Sequence, residues 1–316
     1  MIARPQENIS PLRIGSPEIK PNFMVVGAAK AGTTTLCTLL GLHPEVFMTE
    51  PKEPRFFSWD ELYARGFEWY EALYQKAGDA RMRGEGSQSY TIRRLFPHAA
   101  RRIAEYAPDL KLIYIVRHPL ERMESSWLEM RSWEYGRLRG FLRNAGVGPS
   151  IVNPNFNEAV RRNTAAYEDS SNYWNEISVY RNLYPDEQIL VLFFDDLKAD
   201  YRAVVRKCWD FLGVDPTVPI EGSPPRLNEA ADKKLQRRVF WCTLHIPGLD
   251  LFYRLTSVRF ETAWKRLNRC LLSAESAGRP CWDPALRREV WERLRPDIEK
   301  FLEFYGRPKD LWRLDG

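Results

Sequence analysis

Residues 22–36 read Asn-Phe-Met-Val-Val-Gly-Ala-Ala-Lys-Ala-Gly-Thr-Thr-Thr-Leu, and they constrain the fold of this chain more than any other stretch. An apolar strand, Phe23 to Val26, runs into a loop of small residues that opens a helix at Thr33. A strand–loop–helix turn of this kind aims unpaired backbone N–H groups and the positive end of a helix dipole at one point, which is an anion cradle. Gly27 and Gly32 have the spacing of a Walker A loop and Thr34 stands where its Ser/Thr belongs, but position 33 is Thr and the lysine, Lys30, lies inside the loop. A kinase or ATPase carries its lysine after the second glycine, at the β/γ-phosphates. A displaced lysine followed by three hydroxyls favours a terminal anionic group over a magnesium nucleotide. The plain alternative is a βα turn whose small residues serve packing.

The rest of the chain repeats the alternation. Arg81 to Gly86 reads as a short extended segment, Leu110 to Val116 and Gln188 to Phe193 as continuous apolar strands suited to a buried parallel sheet. Between them, helices are predicted over Gly66–Lys76, Pro97–Tyr106, Pro119–Trp133, Phe156–Tyr167, Tyr173–Leu183 and Tyr201–Leu212, with a strong terminal helix over Ala285–Phe304. Gly213 reads as a C-cap. Residues 136–155, with four glycines, two prolines and Arg137, Arg139 and Arg143, read as a long loop or lid. The expected architecture is an α/β fold with a central parallel sheet flanked by helices, P-loop-like at its nucleotide end. Residues 22–316 are expected to form a single domain, and residues 1–21, with four prolines, a flexible N-terminal arm.

Composition bounds the function. A formal charge of +5 suits an anionic cofactor or substrate and is too weak to argue for nucleic acid. The five cysteines are scattered without a C-x-x-C pair, which favours a reducing compartment over a disulfide framework or zinc site. No apolar h-region or run approaching ~18 apolar residues is present, so neither a signal peptide nor a transmembrane helix is expected and the location is expected to be cytoplasmic. His43, His98, His118 and His245 are unclustered, so no metal site is expected, and His43 before Pro44 reads as structural. Phe240–Cys242 through Leu251–Tyr253 reads as core or cleft wall, with a weak membrane-surface contact as the lesser reading.

Two further stretches carry chemistry. Thr49-Glu50-Pro51-Lys52-Glu53-Pro54-Arg55-Phe56-Phe57 alternates charge and proline, so it is extended rather than helical. Its Glu53, beside aromatics, is a candidate general base made more basic by desolvation, against the alternative of a solvated charged loop. Val116-Arg117-His118-Pro119 lies at the carboxyl end of a buried strand, where ligands bind in open α/β sheets. Arg117 and Ser125 form a phosphate pair, against the alternative of a local salt bridge. Two anion sites on one crevice fit a nucleoside with phosphates at both ends.

These residues resemble the sulfotransferases that use 3′-phosphoadenosine 5′-phosphosulfate (PAPS). Gly27 to Leu36 is similar to the family's 5′-phosphosulfate loop, K-x-G-T-T-x-L, and Arg117 to Ser125 to its 3′-phosphate motif, R-x-P-x-x-R-x-x-S, including Pro119 and Arg122. Pro51 to Phe57 resembles the K-E-P-H-[FY]-F segment of glycan sulfotransferases, and Gly84 to Tyr90 their G-E-x-[ST]-P-x-Y turn. Gln188 to Leu197 and Leu294 to Glu299 match two later family segments. The resemblance implies that Lys30, Ala31, Gly32, Thr33, Thr34 and Thr35 hold the 5′-phosphosulfate and that Arg117 and Ser125 hold the 3′-phosphate. Gly278 and Arg279 are the best candidates for the family's C-terminal cofactor loop. It implies further that Glu53 takes the acceptor's proton, that Lys30 and Lys52 stabilise the leaving oxygen, and that PAP is the product with no metal required. Arg55, Ser89, Tyr90 and Tyr173 are expected at the acceptor, a hydroxyl or amine of a glycan, lipid or small natural product. Arg55 stands where His is common, His118 where Asp or Asn is usual, and Gly86 and Gln88 where Lys and Pro occur. A P-loop-type kinase is the competing function.

Overall fold

The computed structural model describes residues 20–221, 234–236, 238–257, 259–276 and 280–314. The expected arm therefore lies outside the described residues except for its last two, and so do Gly278 and Arg279.

Five parallel strands form the central sheet in the order β2-β3-β1-β4-β5. They are β1 (Phe23–Gly27), β2 (Val46–Met48), β3 (Met82–Glu85), β4 (Lys111–Val116) and β5 (Ile189–Phe193). Strands β1 and β4 are buried almost end to end, as the continuous apolar runs require of a sheet covered on both faces. Within this sheet sequence periodicity missed β2, whose three residues carry too short a pattern to read, and outside it the antiparallel pair Lys234–Gln236 and Leu272–Ser276, where helix was read.

The helices that matter to the site are α1 (Thr33–Leu40), α2 (Pro119–Arg131), α3 (Tyr135–Ala145), α4 (Tyr201–Leu212) and α5 (Pro284–Phe304). Pro119 sits in the first turn of α2, where its missing N–H costs nothing. Gly213, left-handed at φ 81°, ends α4. Trp209 of α4 is wholly buried, and its indole N–H donates to the Leu40 carbonyl at the end of α1 at 3.3 Å. Asp297 of α5 accepts the N–H groups of Trp174 and Asn175 at 2.9 Å each, capping the helix Tyr173–Arg181.

One expectation fails here. Residues 136–155 are not a long loop: most of them belong to α3 and a 3-10 turn over Pro149–Val152. The glycines misled because they answer to packing. Leu138, Phe141, Leu142 and Ala145 supply a buried helical stripe, Gly140 lies opposite Trp59, and Gly136 makes room for Tyr253. The segment 240–253 divides: Leu244 is buried and Tyr253 packs on Tyr135, while Leu251 and Phe252 are exposed. No described helix is long and apolar enough to cross a membrane.

Because all five strands are parallel, their carboxyl ends open on one edge of the sheet, and each delivers a residue there. β1 leads to Lys30, β2 to Glu53, β3 to Gln88, β4 to Arg117 and β5 to Phe194.

Candidate active site

The turn after β1 is set by close approaches. A Cβ at Gly27 would fall 1.8 Å from Thr91 Oγ1, and one at Gly32 2.7 Å from the Phe194 ring. Gly32 also has φ 93°, so it caps α1 in a conformation that side-chain-bearing residues adopt at a cost. No side chain caps α1, which leaves the first-turn N–H groups of the three threonines directed at the cavity. The Ala31 N–H is used within the turn, donating to the Ala28 carbonyl at 3.2 Å, so Ala31 shapes the cradle and lies outside its lining.

Among the described residues two non-glycine residues have left-handed backbones, Lys30 at φ 67° and Arg55 at φ 56°. Such conformations persist where surrounding contacts over-determine them, and they cluster at functional sites. At Lys30 the backbone N–H donates to Gln88 Oε1 at 3.4 Å and Nζ pairs with Glu129 at 3.1 Å. At Arg55 the backbone N–H donates to Ser87 Oγ at 2.9 Å, and Nη2 donates to Glu53 Oε2 at 2.7 Å.

Glu53 is thus held on both sides: by Arg55, and by Lys52, whose Nζ is 3.1 Å from Oε1. Lys52 Nζ also donates to Thr33 Oγ1 at 3.4 Å, linking the carboxylate to the anion cradle. Burial is the strongest single influence on Glu53 and pushes its carboxyl upward. The charges and hydrogen bonds of Lys52 and Arg55 together outweigh it and hold the group below its ordinary range. The rise expected from the aromatic surroundings is therefore reversed, because the two cations outweigh the burial.

A cavity of about 690 Å³ joins the two expected anion sites. Lys30, Gly32, Thr33, Thr34, Thr35 and Glu53 line one part, and Arg117 and Ser125 another. Arg117 is paired with Glu121 one helical turn on, at 2.6 Å, and lies 5.0 Å from the Phe194 ring. The local salt bridge and the lining position coexist. Backbone N–H groups, hydroxyls, Lys30 and Arg117 form a donor set matched to a ligand carrying two separated anionic groups.

A second cavity, of about 580 Å³, adjoins the first across Lys30, Gln88 and Glu129. Arg55 and Ser89 line it. Tyr90 and Tyr173 do not. The Tyr90 hydroxyl donates to buried Glu85 at 2.6 Å, and the Tyr173 hydroxyl donates to the Arg117 carbonyl at 2.6 Å. Both are wholly or almost wholly buried, so they support the site from behind. His118, buried and held down in pKa by that burial, sets Nε2 2.8 Å from the Arg313 carbonyl, and His43 bridges Asp215 and Glu45; both are structural.

Sequence reasoning missed Glu129, Gln88 and Phe194 as lining residues, and treated Arg137 as part of a loop. The signal for Glu129 was available: it follows Ser125 by four residues on α2 and so shares its face. Gln88 and Phe194 carry no local signal, since only the sheet brings strand ends β3 and β5 beside β1.

The sulfotransferase domain model matches residues 20–240. Heparan sulfate glucosamine 3-O-sulfotransferase 6 of Homo sapiens is 32% identical over 288 residues, covering 90% of this chain and 72% of the relative. Heparan sulfate glucosamine 3-O-sulfotransferase 5 of Mus musculus is 24% identical, covering 91% of this chain and 72% of its own. A sulfotransferase from Alicyclobacillus acidocaldarius shares the fold, with a TM-score of 0.59 at 22% identity over 93% of this chain and 99% of that one. A match to this family over the residues that build the cradle decides against the kinase alternative. The chain belongs to the sulfotransferase domain family and is a sulfotransferase whose donor is PAPS.

Proposed function

We propose that the cleft moves a sulfuryl group from PAPS to an acceptor hydroxyl by in-line displacement, with Glu53 as general base. The observation that carries this reading is the chain of contacts from Thr33 through Lys52 to Glu53, which puts a carboxylate beside the anion cradle. When bound, PAPS supplies an activated sulfuryl group on a bridging oxygen that leaves as part of a phosphate.

The hydroxyls and N–H groups of Thr33, Thr34 and Thr35, with Lys30, hold the 5′ end, and Arg117 with Ser125 holds the 3′-phosphate. Lys30 and Lys52 stabilise charge that develops on the leaving oxygen; preorganised cations in a water-poor cleft are effective because they need no reorganisation. Glu53 is held ionised at neutral pH by its two cations, so the proton-accepting form is the resting form. An anion in the cradle competes with Glu53 for Lys52, which loosens one of those cations. Arg55, where relatives of the glycan type carry His, orients Glu53 and adds no second acid–base group. The relatives named for 3-O-sulfation support a hydroxyl over an amine as the acceptor group.

Glu53→Gln tests the assignment. It is expected to lower kcat by about 10²- to 10⁴-fold in a labelled-sulfate transfer assay. PAP affinity, measured by calorimetry, is expected to hold or to tighten by up to about threefold, because the variant no longer competes with the bound anion for Lys52. Undiminished turnover would remove Glu53 from the role.

A further inference from the structure

We infer that the acceptor is an uncharged alcohol or phenol carried on a largely apolar body, and not a polyanionic glycan; this rests on the proposed assignment of the donor and acceptor sides of the cleft. The second cavity adjoins the donor cavity where Lys30 stands, so it is the space from which an acceptor reaches the sulfuryl group. Away from that junction its wall is mainly apolar, Trp59, Ile92, Leu95, Met130, Trp133 and Phe141, with the hydroxyls of Ser89 and Ser126 among them.

The charged groups that do reach this cavity are already engaged with partners inside the protein. Lys30 pairs with Glu129 at 3.1 Å, and Arg55 with Glu53 at 2.7 Å. Arg122, almost wholly buried, donates to Ser171 Oγ and Ser170 Oγ at 2.8 Å each and to the Tyr167 carbonyl. The three arginines within residues 136–155 are also accounted for. Arg143 pairs with Glu61 at 2.6 Å, Arg139 donates to the Leu244 carbonyl at 2.7 Å, and Arg137 faces the donor cavity.

A sulfated or carboxylated glycan entering here would lay fixed charges against aromatic and aliphatic side chains, and desolvating a charge without a counter-ion is strongly unfavourable. An apolar body gains from the same wall. The neutral polar groups of the same lining, Gln88, Ser89 and Ser126, are few and suit a ligand with few oxygens.

The test uses the full chain, first titrated with PAP and then, once saturated, with either 2-naphthol or an N-sulfated heparosan hexasaccharide in a calorimeter. The expected result is 2-naphthol binding at least about tenfold more tightly than the hexasaccharide. Ile92→Lys is expected to weaken 2-naphthol by about tenfold or more and to strengthen the hexasaccharide, with PAP affinity unchanged. Should that variant fold poorly, Ile92→Ala is expected to weaken 2-naphthol by roughly three- to tenfold and leave the hexasaccharide unmoved. Tighter binding of the hexasaccharide, binding of neither compound, or Ile92 variants without effect on 2-naphthol would overturn the inference while leaving the donor site intact. Failure of PAP to bind in the first titration would take down the donor-site reading and this inference with it.

Discussion

The two halves of the cleft are built in opposite ways. The donor half is dominated by one contiguous turn: Lys30 to Thr35 run from the end of β1 into the first turn of α1, and β4 with its helix adds Arg117, Ser125 and Glu129, while the other elements each add a single residue, Glu53, Gln88, Arg137 or Phe194. The acceptor half is assembled from the segment after β2, the turn after β3, helix α2, helix α3 and Ala166. A contiguous anion cradle depends on backbone N–H groups, which every sequence supplies, so its chemistry can stay fixed while side chains drift. An assembled apolar wall depends on side-chain identity at each contributing position, so it is where acceptor preference changes. The chain is 32% identical to an enzyme named for heparan sulfate over 288 residues, a likeness that spans both halves and singles out neither.

The junction between the halves gives the largest expected effect. Glu85, wholly buried at the end of β3, accepts hydrogen bonds from Tyr70 at 2.9 Å, Tyr90 at 2.6 Å and Ser87. Ser87 Oγ in turn receives the N–H of left-handed Arg55, so this buried carboxyl underlies the turn that orients Glu53. Burial, against those hydrogen bonds, pushes Glu85 up from 4.5 to about 7. Between those values the unfolded chain has released this proton while the folded protein keeps it. The group therefore lowers stability progressively as pH rises from about 4.5 to about 7, and the loss is level above that. The size is about 3 kcal/mol. Urea unfolding at pH 5 and pH 7.5 measures it. Glu176, pushed up to about 8 by burial, adds slope of the same sign, so the difference between the parent and Glu85→Gln isolates Glu85. A difference that does not vary with pH would mean that Glu85 stays ionised through the window and that the junction is held by charge.

The donor half yields the next effect. If Arg117 is what distinguishes a 3′-phosphorylated nucleotide, Arg117→Ala should weaken PAP by about 2 kcal/mol, roughly 30-fold, and leave adenosine 5′-phosphate nearly unchanged. Its resting pair with Glu121 must be given up on binding, so Glu121→Gln should tighten PAP by about threefold. Equal losses for both nucleotides in Arg117→Ala would mean that the residue shapes the strand end without reading the phosphate.

How much of this was legible in the sequence follows from the same contrast. The order of strands and helices was readable because apolar runs of five or six residues and helical stripes repeat along the chain, and the cradle was readable because its residues are neighbours. Lys30, Glu53, Arg117 and Ser125 converge on one cleft edge, as parallel strands require. Tyr90 and Tyr173 were misread because a tyrosine near a motif carries no sign of which way its ring faces; both turn inward to hold Glu85 and the Arg117 carbonyl. The direction of the Glu53 shift was misread because the aromatic neighbours are visible in the sequence, whereas the fold-back of Arg55 onto Glu53 depends on a left-handed residue that side-chain identity does not announce.

The largest misreading, α3 taken for a loop, supplies the smallest and sharpest test of the acceptor wall. Two of its glycines lie inside a helix, where glycine costs roughly 0.5–1 kcal/mol relative to alanine. A Cβ at Gly140 would meet the Trp59 ring at 3.7 Å, an ordinary contact. Gly140→Ala should therefore stabilise the protein by about 0.5–1 kcal/mol while slightly narrowing the wall behind Trp59. A Cβ at Gly136 would lie 2.1 Å from the Tyr253 hydroxyl, so the same change there must push that ring away from Tyr135. Gly136→Ala should lose about 1 kcal/mol net, the gain in helix propensity being smaller than the lost packing. Thermal unfolding of the pair reads opposite signs from one chemical change. Stabilisation of both would show that the helix Leu249–Thr256 adds nothing to the wall; destabilisation of both would mean that α3 is not helical at Gly140 and that the acceptor cavity is bounded by something other than its buried stripe.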